Sequence, residues 1–360
     1  MKVFKFILPV LLLASPLLAL AQQTKILTAD KHNDYGLVYT LPLTALKINV
    51  KVTKKTTKAG PYYQYAKKFL GISNVVKEDA VMYTISQVTA TPVGLKDDQE
   101  KYLMQVKPGS PTFIGVDADG MILSINVDPV SPPKAAETPK SAQPSRPLSV
   151  DNYLQYVDMD FVASQSSVKQ AEMIANSLME VRDAYLSLTR GTADNTPTDG
   201  KQLELMLNSL KQQEDALTMA FTGTSFTETE ERDFIFIPEK DGREILFRLS
   251  DFGGFVDPDD YSGVPVYITT EILLEGKLPV DENGQEKKLP KDAVIYALPG
   301  VAKITIACNG STFFEAEGEF SQFGTKFGLN PTLFSDKKER SYARFNPATG
   351  ALEELGVIAD

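Results

Sequence analysis

Residues 161–223 read FVASQSSVKQAEMIANSLMEVRDAYLSLTRGTADNTPTDGKQLELMLNSLKQQEDALTMAFTG, and their spacing decides the fold. Ala171, Ile174, Leu178, Val181, Tyr185 and Leu188 recur at alternating steps of three and four. That rhythm keeps one narrow apolar seam along a helix. Leu203, Leu207, Leu210, Leu217 and Phe221 lay a similar seam on a second helix, with Glu214 at the one seam position that lacks an apolar residue. Ser167 with Gln170 fits a capping box at the first start, and Gly191 fits the stop. Asp199 with Gln202, and then Gly223, punctuate the second helix in the same way. The connection 191–198 is short enough to make the two helices antiparallel neighbours. The expectation is a long antiparallel helical hairpin, with arms of ~25 residues reaching ~35–40 Å.

Outward from this hairpin the pattern changes to a period of two. On the N-terminal side Ile48, Val50 and Val52 alternate with Lys47, Asn49, Lys51 and Thr53, as a half-buried strand does. Leu37–Leu41, Val81–Val88 and Tyr102–Val106 read as further strands, and Asp117–Gly120 reads as a hairpin turn. On the C-terminal side Phe234–Ile237 and Ile245–Leu249 flank the turn Glu239–Gly242. Val264–Leu274, Ala293–Cys308, Thr312–Phe320 and Ser341–Leu355 complete the strand set. The fold class expected is therefore α+β, with two mainly antiparallel β domains flanking the hairpin. The boundaries are a leader at 1–21, an N-terminal β domain at 22–127, a linker at 128–150, the hairpin region at 151–223 and a C-terminal β domain at 224–360. The linker assignment rests on Pro129, Pro132, Pro133, Pro139, Pro144 and Pro147, a composition that extends a chain rather than burying it.

Two segments resemble each other across the hairpin. Tyr39-Thr40-Leu41-Pro42, followed by Lys47–Val50, matches Tyr296-Ala297-Leu298-Pro299, followed by Lys303–Ile306. Further on, Gln64–Phe69 matches Gln322–Phe327. The spacing suggests an internal duplication of a β unit, with a chance likeness of short β motifs as the competing explanation.

The leader sets the address. Lys2 and Lys5 precede an apolar run from Phe6 to Leu20 that ends in Ala19-Leu20-Ala21, the form of a signal peptide cut after Ala21. No cysteine stands at that junction, so a lipid anchor is not expected, and no later stretch reaches the ~18 apolar residues of a transmembrane span. The location expected is the periplasm or the outer membrane surface. Loss of Lys2 and Lys5 takes the formal charge from −10 to −12. An acidic chain repels phosphates, which argues against nucleic acid as a partner.

Composition also removes several chemistries. The chain has one histidine, His32, and one cysteine, Cys308, which sits among alternating Ile304 and Ile306. A Ser-His-Asp or Cys-His nucleophile and a His/Cys zinc site lack their residues. No phosphate-cradling glycine loop is present. No catalytic residue, metal or cofactor is assigned. The residues singled out for ligand or partner contact are of three kinds. Lys51, Lys54 and Lys55 belong to a basic run in an acidic chain, read either as a solvated strand face or as a contact for anionic glycan or lipid. Tyr62 and Tyr63 are read either as core or as rings that stack on sugars. Asp194 and Asn195 at the hairpin tip, and Asp257, Asp259 and Asp260 in a loop whose spacing is not that of an EF-hand, complete the set.

Tyr62-Tyr63-Gln64-Tyr65-Ala66, the tip Gly191-Thr192-Ala193-Asp194-Asn195 with Asp199-Gly200, and Phe221-Thr222-Gly223, together with the leader, resemble an uncharacterised family of Bacteroides-type exported proteins, domain of unknown function 4831. The resemblance implies an envelope address and no particular activity. The function expected is that of a non-enzymatic exported envelope protein, structural or binding a protein or glycan partner, with its oligomeric state open. The alternative is a glycan hydrolase working through two carboxylates that meet only in space.

Overall fold

Alternating β-branched and aromatic residues draw both ends of the chain into long strands, and the seamed segment between them into helices. The computed structural model describes residues 36–105, 112–129, 149–194, 197–290, 293–335 and 340–358. The leader, His32, Asn195 and nearly all of the proline-rich linker lie outside the described residues. The strands are β1 (Gly36–Lys58), β2 (Ala80–Gln105), β3 (Ile114–Val116), β4 (Ile122–Ile125), β5 (Thr224–Phe236), β6 (Gly242–Ser250), β7 (Gly254–Val256), β8 (Val264–Leu274), β9 (Val294–Cys308), β10 (Ser311–Leu329), β11 (Ser341–Phe345) and β12 (Leu352–Val357). The helices are α1 (Ala66–Leu70), α2 (Met159–Ala163), α3 (Ser167–Arg190), α4 (Gly200–Thr222) and α5 (Thr332–Ser335). The molecule is α+β, with three antiparallel sheets ordered β2-β1-β5, β10-β9-β8-β6-β7 and β12-β11-β4-β3.

Strands from the two sides of the helices share these sheets. β5 follows α4, yet it pairs antiparallel with β1 from Leu46↔Phe236 to Lys58↔Thr224. β4 pairs with β11 through Ala343↔Ile125 and Arg344↔Ser124. The segments 22–127 and 224–360, expected as separate β domains, are thus interleaved. The reason is the apolar pattern of β1. Ile48, Val50 and Val52 are fully buried and need cover that β2 alone does not give. That cover is the opposing sheet, with Phe247, Val266, Ile268, Ile304, Ile306 and Phe320. The turn Glu239–Gly242 joins β5 to β6 in different sheets, so the strands flanking it are not a hairpin pair. A second core fills the far end of the same body, where Tyr39 and Leu41 meet Ile122, Ile125, Tyr296, Ala343 and Phe345. The Tyr39 hydroxyl donates to Ile295 O at 3.0 Å and accepts from Ile295 N at 2.7 Å, which pins β1 to β9.

One local geometry occurs twice. Thr40 N donates to Gly120 O at 2.9 Å, and Ala297 N donates to Gly350 O at 3.0 Å. Each contact forms an isolated parallel bridge, Thr40↔Met121 and Ala297↔Ala351. Each receiving turn closes alike, with Asp117 N to Met121 O at 3.0 Å and Asn346 N to Ala351 O at 2.8 Å. Each Tyr-x-Leu-Pro strand also has a register break at that point, between Thr40 and Pro42 and opposite Phe320/Thr325. The other matched pair of segments differs: Gln64–Phe69 is helical and Gln322–Phe327 lies within β10.

α3 and α4 pack on each other. Ala171, Ile174, Leu178 and Leu188 are buried on α3, as are Leu217 and Phe221 on α4, all on the seams read from the sequence. Their roots are set among Tyr62, Tyr153 and Phe161. The first cap is one residue from the expected one. Ser166, not Ser167, accepts from Lys169 N at 3.4 Å, while the Gln170 amide turns to Ser164 O at 2.8 Å. α2 is a separate short helix, so the long seam begins at Ser167. At the other end Gly191 takes φ 69°, the left-handed cap that a side chain would strain. Glu214 belongs on the seam for a polar reason: it accepts from Arg182 Nε at 2.8 Å across the two helices and from Lys211 Nζ at 3.0 Å.

Candidate binding surfaces

The basic run lies on β1, which is a central strand and not an edge. Its partner β5 carries Glu228, Glu231 and Asp233 in register. Lys51 Nζ lies 2.9 Å from Glu231 Oε1, Lys54 Nζ 3.6 Å from Glu228 Oε2 and Lys47 Nζ 3.2 Å from Asp233 Oδ2. The Asn49 amide and Lys47 hold the Asp233 carboxyl below its ordinary value. Lys55 is exposed between Met82 and Thr227. The run is therefore largely neutralised within the sheet, which corrects its reading as a free contact for anionic glycan or lipid. The acids that do this lie far away in sequence, so no local pattern announces them.

Tyr62 is buried, with Tyr153 and Phe161 edge-on at ring-centroid distances of 5.9 and 6.4 Å. Its hydroxyl donates to Gln170 Oε1 at 3.2 Å. Burial, with the bond to Tyr153, pushes its ionisation well up. It is core, and the sugar-stacking reading fails there. Tyr63 is half-buried beside it and accepts from Gln64 Nε2 at 3.4 Å. Asp194 is exposed past the end of α3.

The acidic loop 257–263 is more informative. It folds on itself through Asp260 N to Asp257 O at 3.0 Å and Ser262 N to Asp260 Oδ1 at 2.9 Å. That backbone donor holds the Asp260 carboxyl below its ordinary value, so it stays ionised. Arg248, a buried arginine of β6, braces the loop from beneath. Its Nε donates to Pro258 O at 2.7 Å, and its guanidinium donates to Gly263 O at 3.0 Å. The same guanidinium lies 4.7 Å from the centroid of the Tyr261 ring. Tyr261 is nonetheless 86% exposed, and so is Phe252 on the neighbouring turn. The sequence drew attention to the three aspartates and missed the two rings and the arginine. Only the contact of β6 with the loop makes Arg248 and Tyr261 a unit.

Other surfaces carry less. A groove of about 700 Å³ beyond the sheet core is lined by Lys54, Lys58, Asp79, Phe226, Glu228 and Ser149, with its cations paired to its acids. A second, of about 460 Å³, brings Glu319 and Glu353 near Tyr296, but Asn346 Nδ2 already donates to Glu353 Oε1 at 2.8 Å. Cys308 is half-buried, and burial pushes its thiol up, away from the thiolate a nucleophile needs. Among the described residues no group of three or more His, Cys, Asp or Glu converges as metal ligands. No described helix is long and apolar enough to cross a membrane.

The family model described as Domain of unknown function (DUF4831) matches residues 35–353. The chain belongs to this family. No curated protein and no solved structure matches the chain. The match takes in the helices and every described strand except the end of β12, so the DUF4831 unit joins strands from both sides of α3 and α4.

Proposed function

We propose that this DUF4831 protein is a non-enzymatic, exported cell-envelope protein that binds a glycan through the loop 257–263. The observation that carries this reading is the Tyr261 ring, exposed to solvent yet fixed from below by Arg248. A ring already immobilised loses little entropy on binding, so its exposed face is ready for a ligand. The C–H face of a pyranose fits such a ring. Asp257 and Asp259, exposed alongside, accept from sugar hydroxyls. The leader 1–21 supports the export half of the proposal.

Two architectural readings accompany it. The first is a hairpin arm. The roots of α3 and α4 are embedded, whereas Met179, Leu186, Leu205 and Met206 stay exposed farther out. This favours a protein partner at the outer part of the helices as a second reading of function. The second is an internal duplication of the β unit, supported by the recurring bond from the residue after Tyr39 and Tyr296 to a turn glycine.

The test is binding of the mature protein to envelope polysaccharides by calorimetry, with Tyr261→Ala beside it. We expect the substitution to weaken binding about tenfold or more with the melting temperature unchanged. Equal binding by both proteins removes the site, and release of new reducing ends on incubation favours the two-carboxylate hydrolase instead. N-terminal sequencing of the envelope-fraction protein tests export, with Gln22 as the expected first residue.

A further inference from the structure

The three sheets present their edges very differently. β5, at one edge of its sheet, carries Glu228, Glu230, Glu231, Arg232 and Asp233. β10 and β12, at the edges of the other two sheets, carry Glu315, Glu317 and Glu319 and then Glu353 and Glu354. β3 and β7 are three residues each. β2 is the exception. It is an edge strand of 26 residues, and from Ala80 to Leu95 it reads AVMYTISQVTATPVGL, without a charged side chain.

Natural sheets blunt their free edges with charge, shortness, proline or bulges, because a bare row of N–H and C=O groups recruits another strand. Here the blunting is slight. A register break lies between Lys51 and Val52, opposite Gln87 and Ile85, and Pro92 removes one N–H. β2 is hydrogen-bonded to β1 only, its Tyr83 and Val88 reach into the core beneath, and its largest remaining contact is with β10. The approach to β10 is at its far end, where Glu100 pairs with Lys326. Val81, Met82, Thr84, Thr89 and Thr91 are exposed.

We infer that Ala80–Thr91 pairs antiparallel with the same segment of a second copy, across a two-fold axis, and joins two three-stranded sheets into one of six. Charge selects the occupant. The chain carries a formal charge of −10, so two copies repel, and their acidic edges repel most strongly. The uncharged β2 edge is the long edge that meets its own image without like-charge opposition. A two-fold axis also brings identical residues together, which suits a run of threonine, valine and alanine and penalises a run of glutamates.

Sedimentation equilibrium of the mature protein, with Thr84→Lys/Thr89→Lys beside it, tests the pairing. Both side chains are exposed, so the substitutions spare the core of the sheet. We expect a dimer for the parent and association weakened roughly tenfold or more for the variant, at an unchanged melting temperature. Four added lysines per dimer lower the net negative charge. A general charge effect would therefore strengthen association, and the opposite sign identifies the edge. Thr227→Lys on β5 should leave the dimer intact. Hydrogen exchange provides an independent readout: protection of Ala80–Thr91 should rise with protein concentration. A monomeric parent at every concentration overturns the inference. So does a dimer that survives the lysine pair with unchanged exchange, and so does protection that appears only when another protein is added.

Discussion

Tyr62 shows how one side chain ties the helices to the sheets. Tyr62 N donates to Ala220 O at 2.9 Å, and its ring sits among Tyr153, Phe161 and Phe221. Tyr62→Phe removes only the hydroxyl, with its contacts to Gln170 and Tyr153, and should cost about 1 kcal/mol in urea unfolding. Tyr62→Ala empties the aromatic cluster and should cost about 3–5 kcal/mol. Equal, small losses for the two would show that the cluster does not hold the helices. Glu214 acts farther along the helices. The Lys211 bond, opposed by burial, and then the Arg182 bond hold its carboxyl below the ordinary value of 4.5. A depressed value in the folded state means that the ionised group adds stability above 4.5 and loses it as the pH falls through the folded value. Glu214→Gln should therefore flatten the acid side of the stability profile and leave its alkaline side alone, as read by urea midpoints across pH. The sequence marked Glu214 as an interruption in the seam. Its two cations became evident only when the helices were laid side by side.

At the scale of elements, the lysine run and its answering acids form a ladder across β1 and β5. The pairs are about half exposed, so each is worth at most about 1 kcal/mol. Glu231→Lys should place like charges against Lys51, lower the unfolding midpoint slightly and lose that effect in high salt. Adding Lys51→Glu should restore the midpoint, and failure to restore it would show that the pair does not couple. This ladder also marks the limit of legibility. The helices were readable because a seam of period 3.6 is written within one stretch of chain. The strands were readable for the same reason, although the strands expected to start at Val81 and Tyr102 fuse into one β2, Ala80–Gln105. Strand pairing is different. Nothing between Thr224 and Phe236 states that its neighbour is β1 and not β6. Likewise the three aspartates of the loop were visible in sequence, but Arg248 beneath Tyr261 is a contact between elements.

At the scale of the whole molecule, the interleaving of strands makes the β body cooperative. Residues 22–127 expressed alone would lack β5 and the sheet that covers Val50. Residues 224–360 alone would leave Phe247 and Ile304 bare. Neither fragment should give a cooperative thermal transition by circular dichroism, whereas the full chain should give one transition for its sheets. A fragment that melts cooperatively would restore two independent domains. The same arrangement governs the order of assembly. β1 is the first described strand to be synthesised and among the last to be completed. One of its flanks stays bare until β5 emerges from the ribosome, and the Tyr39 hydroxyl finds its backbone partner only when Ile295 arrives. Until β5 is made, the nascent chain carries a long strand of which β2 satisfies only one flank. The last third of the chain, with Ile295 and the strands that cover Val50, closes a body whose first strand has waited since the start of synthesis.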